Sequence, residues 1–191
     1  MQDFRSVVTE LTSGDDERAE AAVAATAAHG PEIFPALRAL MESPEEDTRW
    51  WAARALAEIS DPQVIPVLGD ALDDADPGVR QCAALGLRKQ PDPRAVPALI
   101  AALSDPDHLC AALAADALAT IGAPAVPALL EVLQSGSRAA RLEAVRALAL
   151  IADPRAIPAL MKVLEEDSAL MEHWASEGLE RMGVGMNFFK P

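Results

Sequence analysis

An all-α solenoid of about six helical hairpins is the architecture that this sequence dictates, on three observations. Pro35, Pro66, Pro97, Pro127 and Pro158 lie 31, 31, 30 and 31 residues apart, and Leu56, Leu87, Leu118, Leu148 and Leu179 keep the same spacing. Two independent markers thus share one period. Half of the 191 residues (51%) are hydrophobic but only 4% are aromatic, and Ala and Leu dominate, which favours helices. A period of roughly 20–50 residues signals stacked units, none of which can hide its apolar face without the next.

The elements follow in chain order. Residues 1 to 30 read as a degenerate N-terminal capping unit: Phe4, Val7 and Leu11 keep helical spacing, AEAAVAATAA suits a second helix, and the marker proline is missing. A solenoid end needs such an atypical unit because its outer face meets water. Residues 31 to 183 hold five units of 30–31 residues. Residues 184 to 191 leave the pattern as a tail or cap, in which Met186, Phe188 and Phe189 are expected to cover the last hairpin.

Within each unit, helix A carries the proline. Leu37, Leu68, Leu99, Leu129 and Leu160 stand two residues after it, and a bulky apolar residue (Phe34, Ile65, Val96, Val126 or Ile157) stands one before. Met41, Leu72, Leu103, Leu133 and Leu164 complete the same helical face. Segments such as DPQVIPVLGDAL, DPRAVPALIAAL and DPRAIPALMKVL double the proline. Proline is harmless in a first helical turn, where its missing N–H has no acceptor, and the residue before a proline is pushed out of the α region. The pair therefore punctuates the chain between helices.

Helix B has its own columns. Ala52, Ala83, Ala114, Ala144 and Ala175 stand four residues before the leucine; immediately before it stand Ala55, Gly86, Ala117, Ala147 and Gly178, small enough for close helix approach. Three residues after it come Ile59, Gln90, Ile121, Ile151 and Met182, and Gln90 is the oddity, read as a frayed end before Pro91.

The unit DPQVIPVLGDALDDADPGVRQCAALGL (61 to 87) resembles the short HEAT-like repeat of the phycobilisome-lyase type, over roughly residues 31 to 183. The resemblance implies an armadillo/HEAT-like superhelix. That family's valine-arginine pair at the head of helix B survives as Val79-Arg80, partly as Thr48-Arg49 and Ala140-Arg141, and is lost at Cys110-Ala111 and Met171-Glu172. If those arginines tie neighbouring units, the fourth and sixth joints are expected to rely on packing alone. The resemblance also implies an alternative function, as a bilin lyase subunit or another chromophore-handling accessory protein.

Thirty acidic against sixteen basic residues give a net charge of -14, which repels phosphate backbones and anionic membrane surfaces. Nucleic acid and membrane are therefore not the expected partners. Cys82 and Cys110 are too few for a disulfide framework, and no basic, apolar leader opens the sequence, so a cytoplasmic protein is expected. His29, His108 and His173 fall in three different units, and the chain holds no His-Glu dipeptide of the iron hydroxylases, no glycine-rich phosphate loop and no nucleophile elbow. The expectation is no enzyme, no catalytic residue, no metal and no cofactor. Acids in the turns between A and B, such as Glu45 to Asp47, Asp73, Asp74 and Asp76, Asp105 and Asp107, and Glu165 to Asp167, read as helix caps.

The surface left for function is the concave wall of B helices. Positions six, five and two before the leucine column should point out of it, and they contain every tryptophan of the chain. The candidate partner-binding set is Trp50, Trp51, Arg54, Gln81, Leu85, Asp116, Leu142, Arg146, His173, Trp174 and Glu177. Tryptophan and arginine are common interface anchors. Trp50 and Trp51 lie ~100° apart on a helix, so both cannot be buried on one face. A scaffold that grips another protein on this wall is the expected function.

Overall fold

The computed structural model describes residues 3–166 and 168–184. The expected cap at Met186, Phe188 and Phe189, and the turn acid Asp167, lie outside those residues. Among the described residues there are twelve α-helices and no strand. They pair along the chain as α1 (Phe4–Leu11) with α2 (Asp16–Thr26), α3 (Phe34–Leu40) with α4 (Glu46–Leu56), and α5 (Val64–Asp70) with α6 (Pro77–Lys89). Then come α7 (Val96–Ala102) with α8 (His108–Ile121), α9 (Val126–Ser135) with α10 (Arg138–Ile151), and α11 (Ile157–Glu166) with α12 (Ala169–Arg181).

Two compact units share the chain, Met1–Ala98 and Leu99–Pro191. In the first, α4 packs against both α2 and α6. In the second, α10 packs against both α8 and α12. Each unit therefore has a wall of neighbouring B helices, backed by α3 and α5 in the first and by α9 and α11 in the second.

Four of the predicted columns are buried throughout, whereas Val96, Ile157, Met41, Leu164, Ile121, Ile151 and Met182 of the others are half-buried. The B-helix leucines, the alanines four before them and the small residues immediately before them are all buried, as are the A-helix leucines Leu37, Leu68, Leu99, Leu129 and Leu160. Close approach at the small column is real: a Cβ on Gly86 would lie 2.8 Å from Leu68 Cδ1, and one on Gly178 would lie 2.8 Å from Ala149 Cα. Gln90 departs from the expected frayed end. It sits just beyond α6, and its Nε2 donates to the Ala57 carbonyl 3.2 Å away, a bond across 33 residues. The polar residue in the apolar column ties two hairpins together.

The doubled prolines also resolve. The first opens a single 3-10 turn, Pro93–Ala95 or Pro154–Ala156, and the second enters the α-helix that follows. Asp92 and Asp153 cap these turns, accepting from the Arg94 and Arg155 N–H groups at 2.8 and 2.9 Å. Arg94 and Arg155 then donate to the carbonyls of Pro62 and Ala123, in the equivalent turns of the preceding hairpins.

Helix α10 ends on Ala152, whose φ of 53° and ψ of 39° are left-handed, a conformation that strains any residue with a Cβ. Ala152→Gly is expected to stabilise the protein by about 0.5–1 kcal/mol, because glycine adopts this cap freely. Urea unfolding monitored by circular dichroism checks this, and a lower midpoint in the variant would contradict it.

Candidate functional site

The B-helix wall of the first unit carries an open groove. Its floor is the indole pair on α4: Trp50 and Trp51 meet edge to face, with ring centroids 4.6 Å apart and planes at 81°. Both rings are half-buried, as their ~100° separation on the helix requires. The Arg54 guanidinium, one turn on, sits 4.8 Å from the Trp50 ring centroid and 5.3 Å from that of Trp51. The same guanidinium reaches Glu20 on α2 through Nη2 at 2.8 Å and Nη1 at 2.7 Å.

The rim is acidic. Asp16, Glu17 and Glu20 come from α2, Glu46 and Asp47 from the start of α4, and Asp76 from the cap of α6; with both indoles and Gly78 they line a volume of about 1070 Å³. In the sequence Glu46 and Asp47 read as caps, and the α2 acids stand far from the tryptophans. A faint signal existed: Glu20 precedes Arg54 by 34 residues, close to one period. Asp76 does cap, accepting from the Val79 N–H at 2.9 Å.

Further along the first unit, Gln81 is half-buried and Leu85 is 40% exposed. Cys82, the counterpart of Trp51, is buried instead of facing outward. Burial pushes its thiol up to about 11. Native Cys82 should therefore resist iodoacetamide at pH 8 and react only once the chain is unfolded in urea; mass-spectrometric labelling of the native protein reads the difference.

In the second unit, His173 is exposed and Trp174 half-buried, edge to face at 5.6 Å. Leu142 is half-buried. Glu177 accepts from Arg181 one turn later at 3.0 Å. Arg146 is tied to its neighbours. Only 17% of its side chain is exposed, and it donates to Asp116 at 2.7 Å, to Glu143 at 2.9 Å and to the Ala112 carbonyl. The fourth hairpin therefore does not depend on packing alone where its head-of-helix arginine is lost, because Arg146 of α10 reaches back to α8.

At Arg49 that arginine does tie units. Arg49 donates to both carboxylate oxygens of Asp74 at 2.7 and 2.8 Å, and to the carbonyls of Ser43 and Pro44. The Arg49 hydrogen bonds, assisted by the Asp76 N–H, hold the Asp74 carboxyl below its ordinary value against the opposing effect of burial. A depressed folded-state value contributes stability above the unfolded carboxylate's ~3.9 and loses it as pH falls through the folded value. The urea midpoint should thus fall as pH drops below about 4, and Asp74→Asn should lower the neutral midpoint while flattening the acid slope. Equal acid slopes in the two proteins would refute the assignment.

Residues 6–81, 34–119, 70–137 and 96–180 each match the family model for HEAT repeats. The chain belongs to the HEAT-repeat family. Among solved structures this HEAT-repeat protein is similar to an engineered protein of the Northeast Structural Genomics Consortium, at 27% identity over 97% of this chain and 98% of that one, with a TM-score of 0.57. It is similar to the complex of CpcE and CpcF of phycocyanin lyase from Nostoc sp. PCC7120, at 24% identity over 75% of this chain and 96% of that one, TM-score 0.61. A designed armadillo repeat protein in complex with the peptide (KR)4 matches at 20% identity over 95% of this chain and 100% of that one, TM-score 0.53. A search of curated proteins finds no match. These likenesses bear out the armadillo/HEAT-like solenoid and the resemblance to the lyase-type repeat. Among the described residues, no single helix of this HEAT-repeat protein is long and apolar enough to cross a membrane, and no group of three or more His, Cys, Asp or Glu side chains is placed to hold a metal ion.

Proposed function

We propose that this HEAT-repeat protein is a non-enzymatic scaffold that grips another protein through its B helices, with Trp50 and Trp51 as anchors in the first unit and Trp174 in the second. The observation that carries this reading is the half-exposed indole pair on the floor of an open groove. Large aromatic surface with a polar handle is what interface hot spots are made of. Gln81, Leu85, Leu142, His173 and Glu177 extend the contact surface. Arg54 supports the indole pair from within, since it stands against both rings while paired to Glu20, and Asp116 and Arg146, paired to each other, complete the set. Proteins of the same fold lend support: the designed armadillo protein holds a peptide, and CpcE forms a complex with CpcF. No cofactor, nucleic acid or membrane enters this reading, and we place the protein in the cytoplasm.

Affinity capture from the native host, followed by mass spectrometry, supplies the partner. Titrating that purified partner against wild type, Trp51→Ala and Trp174→Ala then tests the face. Weaker binding with unchanged helical circular dichroism is expected, and undiminished affinity in both variants refutes the proposal.

A second reading, a bilin lyase subunit or another chromophore-handling accessory protein, draws support from the fold shared with the phycocyanin lyase complex and from the edge-to-face contact of His173 with Trp174. It requires a change in visible absorbance when the protein is mixed with bilin. A flat difference spectrum at saturating pigment removes it.

A further inference from the structure

We infer that the occupant of the Trp50 and Trp51 groove is a basic segment of the partner, a short stretch of chain carrying adjacent Lys or Arg side chains. This rests on the docking reading above and specifies its chemistry. The argument is one of charge and surface type together. Three B helices of one unit point their N-terminal ends at the groove, and they bring Asp16, Glu17, Glu20, Glu46, Asp47 and Asp76 to its rim. Among the described residues, Arg54 is the cation stacked against both indoles, and it is taken by Glu20. Among the described residues, Asp16, Glu17, Glu46 and Asp47 form no ion pair, and Arg49 acts on Glu46 only through space, so four carboxylates line the opening without a countercharge in contact.

Helix N-termini oppose a cation, and the magnitudes decide between the two effects. Each end carries about +0.5 of an elementary charge, so three ends offset only about one and a half of the carboxylate charges, and the groove stays strongly negative. Its floor is aromatic, and an indole face attracts an ammonium or guanidinium within about 6 Å. A cationic side chain is therefore the group that satisfies floor and rim at once. An anionic segment would be repelled by the rim, and a purely apolar one would leave four carboxylates facing it without gain. The mode is extended rather than a single-ion site, because the acids come from three successive hairpins.

The test is isothermal titration calorimetry of the full chain with a capped octapeptide of alternating Lys and Arg, beside an octapeptide of alternating Glu and Asp and an uncharged Leu-Ser octapeptide. Saturable binding of the basic peptide alone is expected, weakening about tenfold or more as salt rises from about 50 to 300 mM. Trp51→Ala should weaken it about tenfold. The triple variant Glu17→Gln, Glu46→Gln, Asp47→Asn should weaken it by at least about tenfold. A matched control, Glu131→Gln, Glu165→Gln, Glu180→Gln, removes the same charge from exposed positions of the other unit and should leave binding unchanged. Equal losses in the two triple variants, equal binding of the uncharged peptide, or no saturable binding would each overturn the inference. If the peptide fails while the captured partner still depends on Trp51, the docking face stands and only the basic occupant falls.

Discussion

Gly178→Ala should destabilise the protein by about 1–3 kcal/mol, whereas Gly69→Ala should stabilise it by up to about 1 kcal/mol. Both glycines lie inside helices, so intrinsic propensity favours alanine at each by a similar amount. The surroundings decide the sign. A Cβ on Gly178 would stand 2.8 Å from Ala149 Cα and 2.9 Å from Ala149 Cβ, and α12 could make room only by moving away from α10. Backbone cannot swing aside as a long side chain can. A Cβ on Gly69 would meet Ala98 Cβ at 3.7 Å, an ordinary van der Waals contact. Urea unfolding of both variants against wild type measures the two changes. A stabilised Gly178 variant would show that the close helix approach is not required.

Trp51→Ala is expected to weaken capture of the protein partner by about 1–4 kcal/mol. Trp51 is a cleaner probe than Trp50. The Trp50 ring is wedged against the start of α6, since a Cβ on Gly78 would lie 3.2 Å from Trp50 Cδ1 and 3.3 Å from Nε1. Its removal would loosen the joint between α4 and α6 along with the binding surface. Removing Trp51 takes from the groove the ring that also meets Arg54, while the Arg54 to Glu20 pair remains to hold α4 against α2. Helical content should therefore survive while affinity falls. Trp51→Phe should recover part of the loss, since a smaller aromatic face stays in place. Titration of the captured partner, with circular dichroism as the folding control, reads both variants.

The proline and leucine columns were legible in the chain because their periodicity is local. Apolar residues three, four and seven apart face one way on any helix, and prolines 31 residues apart punctuate it wherever it packs. The small residue before each leucine likewise announced close approach, and Gly86 and Gly178 show it. Polar ties were less legible. Gln90 reads as a frayed end in the sequence but bonds to the Ala57 carbonyl, and nothing in the sequence announces that Arg146 holds Asp116, Glu143 and a carbonyl. An unpaired charge and a paired one are spelled alike. For the groove, composition pointed to the tryptophans and missed their setting. The acids of α2 precede Trp50 by about one period and carry no mark distinguishing them from ordinary first-turn acids.

By itself, then, the order of residues determined the hairpin, its repeat and the class of fold, because each unit's apolar faces are written within some thirty positions and cannot be hidden without a neighbour. Only the tertiary structure decided which side chains share a groove. That choice depends on how α2, α4 and α6 are set side by side, and it brings Glu20, Trp50, Trp51 and Asp76 to one opening from separate hairpins. Helical periodicity fixes which way a residue faces on its own rod, while the packing of rods decides what it faces.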